Sequence, residues 1–428
     1  MSCICLNYDY LGRVASRTAD NETTTYTYGT SGTGQTRLVS ESNGTWSKKS
    51  YVYDTYGRVT QETMSDNNHN TRSMGYHYNS AGLLSKQDYP NVKSVTYAYD
   101  AYGNCTTINA QNGLILWTLT DYTGSSTTST IRLNNSTPYV RTTRLDNAGN
   151  IQSRVMTRGS DTLQNDSYVF NAQTGNLTSR ALTGRSAETF TYDNLGRLTQ
   201  ISSGNQSTMQ MTYCQNGNIC TKNNMGQYSY STTSMPHAVN VICPIDGIPE
   251  YEQYIEYNPW NKAEDIYHEE GDDYYYYHIE YGPDQQRVRS SMYKNDILQY
   301  KKLYLDGYEE YLYENGNSDI TVWSYWIEAP DGLAGFFWNT IAEYYTVLHP
   351  YVAMTDHLGS LTGLYDPDGN KTLDATYDAW GKRTFAAGSM QLDRGFTGHE
   401  HIDALGLINM NGRMYDPQTR PLPQPRPV

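Results

Sequence analysis

Apolar and polar residues alternate along most of this chain, in short runs broken by one recurring punctuation. Val95-x-Tyr97-x-Tyr99 and Met209-x-Met211-x-Tyr213 place every second side chain on one face. A period of two is the signature of a strand with one buried face. Each run ends in an aromatic residue, then Asp or Asn, two variable residues and Gly, after which alternation resumes. Asp or Asn opens a turn because its short side chain accepts hydrogen bonds from nearby backbone. Gly supplies the positive φ that tight turns use. The pattern predicts a strand, a tight turn and a returning strand, so each copy is a β-hairpin. Helical periodicity is nearly absent, and only Ile341–Val347 predicts a turn of helix.

The copies read Tyr8-Asp9-x-x-Gly12-Arg13-Val14, Tyr53-Asp54-x-x-Gly57-Arg58-Val59, Tyr78-Asn79-x-x-Gly82, Tyr99-Asp100-x-x-Gly103-Asn104 and Leu145-Asp146-x-x-Gly149. Tyr192-Asp193-x-x-Gly196-Arg197-Leu198 is the cleanest, and Tyr365-Asp366-x-x-Gly369 and Tyr377-Asp378-x-x-Gly381 come late. Degenerate copies occur at Phe170-Asn171, Tyr213-Cys214, Tyr257-Asn258 and Tyr281-Gly282, and a decayed one at Tyr28-Gly29. Tyr53 to Tyr78 is 25 residues and Tyr78 to Tyr99 is 21 (78 − 53 and 99 − 78). One hairpin of this length cannot bury its apolar face alone, but stacked copies can. The predicted fold is all-β, an array of hairpins forming an elongated, coiled sheet.

Composition sharpens this picture. There are 42 Tyr against 6 Phe and 7 Trp, and only 37% of residues are hydrophobic. Burial must come largely from Tyr, whose ring packs while its hydroxyl seeks a partner. The formal net charge of −14 argues against nucleic acid as a partner. No apolar stretch is long enough for a membrane-spanning helix. Met1–Asp9 lacks the charged and apolar regions of an export signal. The six cysteines, at 3, 5, 105, 214, 220 and 243, match no zinc spacing and read as scattered free thiols.

The ordered set of copies resembles the YD-repeat proteins of the Rhs type. Its most specific stretches are Thr355-Asp356-His357-Leu358-Gly359-Ser360-Leu361 and Tyr377-Asp378-Ala379-Trp380-Gly381, which look like the Rhs-associated core. Gly395-Phe396-Thr397-Gly398-His399-Glu400, Gly406–Pro417 and the upstream Ala329-Pro330-Asp331-Gly332 fit as well. The resemblance divides the chain into a repeat region, 1–345, a core segment, 346–419, and an aberrant tail, 420–428. It implies a bacterial, secreted or cell-surface parent in which such repeats form part of a hollow β-shell around a C-terminal cargo domain. Missing N-terminal repeats and that cargo would be this chain's partners. It implies no catalysis, cofactor or metal, and gives Tyr53, Asp54, Gly57, Tyr99, Asp100, Gly103, Tyr192, Asp193, Gly196, Asp356, His357, Gly359, Tyr377, Asp378 and Gly381 roles in turns.

Many members cut themselves after the core. Arg413 matches the arginine of that cleavage site, but the aspartate expected thirteen residues later falls at Arg426. The usual tail is close to G-R-F-L-S-P-D-P, whereas this chain ends Arg420-Pro421-Leu422-Pro423-Gln424-Pro425-Arg426-Pro427-Val428. One codon choice for these residues, read one base later, restores the usual tail, so 420–428 reads as frameshifted. Two carboxyl groups sharing a proton activate water, and an arginine cannot replace one of them, so self-cleavage is expected to be absent. The alternative reading is a secreted surface repeat protein that binds carbohydrate through the Tyr274–Tyr277 run and Trp323, Trp326 and Trp338. His399-Glu400-His401 places two histidines on one strand face, as a metal site would, but lies in the core segment, for which the resemblance implies no metal. Glu269–Asp273 is acidic enough for calcium but lacks the spaced ligands of a dedicated loop.

Overall fold

Because every turn reverses the chain, each strand pairs antiparallel with its sequence neighbours. The computed structural model describes residues 4–43, 47–66, 71–204, 208–230, 239–244, 252–313, 320–342, 345–411 and 413–418. Among these, 22 strands from Ile4–Tyr8 to Val239–Pro244 form a first meandering sheet. Twelve strands, from Glu252–Tyr257 to Arg383–Phe385, form a second. Glu400–Ile402, Leu407–Asn409 and Met414–Tyr415 form a small third sheet. Short 3-10 turns are the only helical elements among the described residues. None is long and apolar enough to cross a membrane.

The strands bulge beside most of the motif turns: the register shifts between Val52 and Tyr53, between His77 and Tyr78, and between Thr191 and Tyr192. A bulge adds local right-handed twist, and its repetition makes the sheet coil. The chain thereby returns on itself. Side chains of the first sheet bond to groups of the second at sequence separations from 189 residues, Tyr168 to His357, to 266, Arg17 to Pro283.

The second sheet is a middle layer. One of its faces, with Tyr325, Ile327, Phe337, Val352 and Met354, packs on Ile115, Trp117, Ile131, Tyr139 and Met156 of the first sheet. The opposite face, with Trp326, Phe336, Tyr351 and Ala353, packs on Phe396 and Ile408 of the C-terminal segment. Further along, Ile266, Tyr277, Ile279 and Met292 meet Ile402, Leu405, Leu407 and Met414. Burial on both faces explains why Ile320–Ala329 and Gly332–Ala342 read as nearly continuous apolar runs. Fully burying one such aromatic side chain contributes roughly 2 kcal/mol. Phe336 and Phe337, adjacent and both 0% exposed, point into different cores.

Two expectations are corrected here. Ile341 lies in the strand Gly332–Ala342, and Thr346 and Val347 lie in the strand Tyr345–Thr355 that pairs with it, so the segment is a hairpin and not a turn of helix. The cysteines are not all free thiols: Cys214 and Cys220 form a disulfide, their Cα atoms 5.3 Å apart. The tail 420–428 lies outside the described residues.

Cationic side chains pin the layers together. Arg141, 1% exposed, donates from Nε to Asp331 Oδ2 at 3.0 Å, from Nη2 to Oδ1, and from Nη1 to the Leu333 carbonyl at 2.7 Å. Ser129 Oγ and Trp117 Nε1 complete the shell around the carboxylate at 2.6 and 3.0 Å. Burial pushes the Asp331 carboxyl up, but the guanidinium and the other donors outweigh this and hold it below its ordinary value. Arg154 Nη1 reaches Thr355 Oγ1 and the Asp356 carbonyl, and Arg180 Nη2 reaches the Tyr377 carbonyl. Breaking a buried ion pair from one side costs about 3–5 kcal/mol, because the other charge stays buried. Arg141→Ala is therefore expected to lower the urea-unfolding free energy by about that much. Arg141→Met with Asp331→Leu should cost less than either single change. A single variant as stable as the parent in that measurement would show that the pair does not hold the layers.

Candidate functional site

The repeating motif is one hydrogen-bonded device, best seen at Asp193. Its backbone N–H donates to the Arg197 carbonyl and its own carbonyl accepts from Gly196 N–H, both at 2.9 Å. Asp193 Oδ1 accepts the backbone N–H groups of Leu195 and Arg197 at 3.0 and 2.9 Å. Oδ2 accepts Arg197 Nε at 2.7 Å. The Arg197 side chain, with these N–H donors, holds the Asp193 carboxyl below its ordinary value. Asp54 with Arg58 and Asp9 with Arg13 repeat the arrangement; in the Asp100 copy, Asn104 replaces the arginine. The Asp378 carboxylate accepts the N–H groups of Trp380 and Lys382. Gly57, Gly103, Gly196, Gly359 and Gly381 all have φ between +73° and +91°.

Consecutive copies are joined by the tyrosine. Tyr192 Oη donates to the Leu177 carbonyl at 2.8 Å, in the turn of the preceding copy. Tyr213 does the same to Leu198, Tyr99 to Leu84, Tyr78 to Val59 and Tyr53 to Leu38, while Tyr377 reaches past the Asp366 copy to Leu361 of the Asp356 copy. The motif arginine then lies over the ring of the next copy: Arg197 over Tyr213 at 4.4 Å and Arg58 over Tyr78 at 4.3 Å. Such contacts contribute about 0.5–1 kcal/mol each at exposed sites. Phe would lose the hydroxyl bond, which accounts for the excess of Tyr.

Asp356 forms the same turn in a buried setting, accepting the N–H groups of Leu358 and Ser360 at 2.9 and 2.8 Å. Burial raises its carboxyl. His357 stacks on Tyr168 at 4.2 Å, and burial, with Arg180 and Arg154 nearby, lowers its pKa to about 4. The turn residues are spread along the whole array, one set per hairpin, and do not gather around a common site. Arg413 is exposed between the last two strands, and Arg426 lies outside the described residues.

One cluster of charges does converge, at the junction of the second sheet and the C-terminal segment. Lys302 Nζ, with a fully buried side chain, lies 2.5 Å from Asp393 Oδ2, 2.8 Å from Glu400 Oε1 and 3.3 Å from Glu309 Oε2. Arg287 pairs with the other Glu400 oxygen, Tyr304 Oη donates to Glu400 at 2.9 Å, and Tyr311 Oη donates to Asp393. Burial, only partly countered by Lys302, pushes the Asp393 carboxyl up to about 6. Glu400 is held well below its ordinary value: Lys302 and Arg287 together outweigh its burial. Beside the cluster is a cavity of about 400 Å³ lined by Arg287, Tyr304, Glu309 and Arg394 together with Lys49 and Glu62. The charges are satisfied within the protein, so the cluster fastens the C-terminal segment in place. Sequence reading missed it. The available signal was Lys302 between Tyr300 and Tyr304 on one strand face.

The weighed ligand residues have other partners. Phe396 N–H donates to His401 Nε2 at 2.9 Å, and Thr397 Oγ1 lies 2.7 Å from His399 Nδ1. Glu269–Asp273 is a hairpin turn whose Asp273 pairs with Lys294. No group of three or more His, Cys, Asp or Glu side chains among the described residues is arranged to hold a metal. The Tyr274–Tyr277 run splits across two faces. Tyr277 is buried, while Tyr276 stacks between Tyr267 and Tyr293 at 5.1 and 5.5 Å. Trp326 is buried, and Trp338 and Trp323 pack against the cores.

Gly196→Ala is expected to cost about 1–2 kcal/mol in urea unfolding from its positive φ alone, since the nearest atom to the added Cβ would be 3.7 Å away. Tyr192→Phe should cost about 0.5–1.5 kcal/mol in the same assay, the worth of one hydrogen bond. Asp393 carries a raised pKa, so it adds stability as pH falls through about 6 toward its unfolded value. His357 and His401, with pKa values lowered to about 4 and about 2, subtract stability as pH falls through their unfolded value near 6.5. Asp393→Asn should therefore steepen the fall in melting temperature between pH 7 and 5. Parallel pH profiles for variant and parent would contradict this.

No protein-family model matches the sequence, and no curated protein matches it. Solved structures do. A structure of the Photorhabdus luminescens Tc holotoxin pore with mutated TccC3 matches 99% of this chain at 15% identity, with a TM-score of 0.73. A TcdB2-TccC3-Cdc42 crystal structure matches 98% at 13% identity, with a TM-score of 0.58. This chain covers 26% and 27% of those chains, about a quarter of their length. The likeness is one of fold: this is an all-β array of hairpin repeats, coiled as in those toxin-complex chains.

Proposed function

We propose that this chain is a non-catalytic wall segment of an Rhs-type β-shell, whose intact parent encloses a C-terminal domain. The observation that carries the reading is the self-overlapping sheet. Its recurring polar motif residues are consumed in making turns and joining copies, and its charged side chains pin one layer to the next. The matched toxin-complex chains are about four times longer, consistent with a segment of a larger wall. Secretion, a bacterial surface location and a cargo partner belong to this reading. Carbohydrate binding is not favoured, because the Tyr267, Tyr276 and Tyr293 rings cover one another's faces.

The tail 420–428 is frameshifted in this reading, and with Arg426 where the partner aspartate of Arg413 belongs, the chain does not cut itself. Sequencing the surrounding DNA tests the proposal. In-frame repeats upstream and, after one-base repair, a further domain downstream would support it. Flanking genes with neither would sink it. The intact mass of the purified protein should correspond to all 428 residues.

Among the described residues, the first strand, Ile4–Tyr8, pairs with Val14–Ala19, and Ile4 and Leu6 are exposed at 47% and 44%. An exposed apolar strand at a sheet edge templates association. Expressed alone, the chain is expected to elute from size-exclusion columns as oligomers. Leu6→Lys should shift it toward monomer, and a clean monomer from the parent would contradict the wall-segment reading.

A further inference from the structure

One copy of the repeat replaces its polar clasp with a covalent bond. In five other copies, those of Asp54, Asp100, Asp193, Asp356 and Asp366, two side chains hold the turn. The first is the Asp carboxylate, which accepts backbone N–H groups two and four residues on. The second is a threonine six residues after the Asp, on the bulged strand. Its Oγ1 donates across the hairpin to the carbonyl two residues before the Asp: Thr60 to Val52, Thr106 to Ala98, Thr199 to Thr191, Thr362 to Met354 and Thr372 to Leu364, at 3.0–3.3 Å. In the Tyr213 copy both positions are cysteine. Cys214 stands where the Asp belongs, Cys220 stands where the Thr belongs, and the two are joined.

The rest of that turn keeps the common form. Cys214 N–H donates to the Asn218 carbonyl at 2.8 Å, Gly217 N–H donates to the Cys214 carbonyl at 2.9 Å, and Gly217 has φ +88°. We propose that the Cys214–Cys220 disulfide is a redox-sensitive clasp that stands in for the carboxylate and hydroxyl of the other copies. Asn216 Oδ1 accepts the Asn218 N–H at 3.2 Å, the N–H that the Asp takes in the other copies. Reduction leaves the turn with that bond and its backbone pair but no side-chain link across the hairpin from positions 214 and 220, because a thiol is a poor acceptor and a weak donor. Both cysteines are half-buried, within reach of a small dithiol.

The hairpin so clasped is not isolated. Met211 packs with Phe190 and Ile201 in a cluster that includes Ala379 and Trp380 of the second sheet. Lys222 Nζ donates to the carbonyl of Gln418 at 3.3 Å, at the end of the C-terminal segment. Opening the clasp therefore loosens the first sheet where it meets the outgoing chain, and an oxidising environment keeps that contact closed.

The test is hydrogen exchange on the full chain, purified oxidised and compared with and without dithiothreitol. The dithiol closes to its cyclic disulfide while two electrons and two protons pass to Cys214 and Cys220, which become thiols. Exchange in residues 209–222 is expected to quicken by about tenfold, in line with the loss of a short-loop crosslink. Residues 379–380 and 415–418 should follow, with little change at the Asp54 and Asp193 turns. The double change Cys214→Asp with Cys220→Thr restores the common clasp and should exchange slowly with or without dithiol. Alkylation of both cysteines in the unreduced protein, unchanged exchange on reduction, or persistent dithiol sensitivity in the double variant would each overturn the proposal.

Discussion

Everything in this fold depends on a carboxylate that satisfies the backbone of a reversing chain. A tight turn leaves N–H groups with no strand partner, and orphaned backbone donors are costly. Asp193 Oδ1 takes two of them, and Oδ2 holds the arginine that covers the next tyrosine. Without that arrangement strands would not pair with their immediate neighbours, and the bulge that twists the sheet beside most of the turns would have no fixed place. The coil, the overlap of layers and the burial of the second sheet all follow from it.

Layer closure uses a different chemistry. The first sheet meets the second through tyrosine and aliphatic contacts, with cations reaching across to carbonyls and carboxylates at hairpin ends. Arg141 with Asp331 and Lys302 with Asp393 and Glu400 are buried and fully bonded. Buried ion pairs of this kind add little net stability over apolar packing. Their geometric demands set which hairpin docks where, whereas a wholly apolar interface between two repetitive sheets could slip by a repeat.

Local structure was legible in the sequence because each hairpin is built from residues within about ten positions of one another. Tyr53-Asp54 and Tyr192-Asp193 announce their turns outright, and Asp356 its own through Gly359. What lay further off was not legible. The apolar run through Val322 and Ile327 had a pattern that fits a strand covered on both faces, but nothing in it named Trp117 or Phe396 as the covering residues. Lys302 reads as a surface lysine until Asp393 and Glu400, about ninety residues on, fold over it. The cysteines were misread because spacing was compared with metal sites, when the informative comparison was with the Asp and Thr positions of the other turns.

In the copies at Tyr53, Tyr78, Tyr99, Tyr192 and Tyr213 the tyrosine hydroxyl points back to the copy already made. Tyr192 bonds to Leu177 and Tyr213 to Leu198, so each hairpin finishes its predecessor and leaves its own last acceptor for its successor. The array is thus directional, like a zipper with a fixed starting end. A chain emerging amino-terminus first from the ribosome can lay down each unit on a completed one, with no wait for distant segments. Only the wrapping of the first layer over the second requires residues some two hundred positions apart to meet.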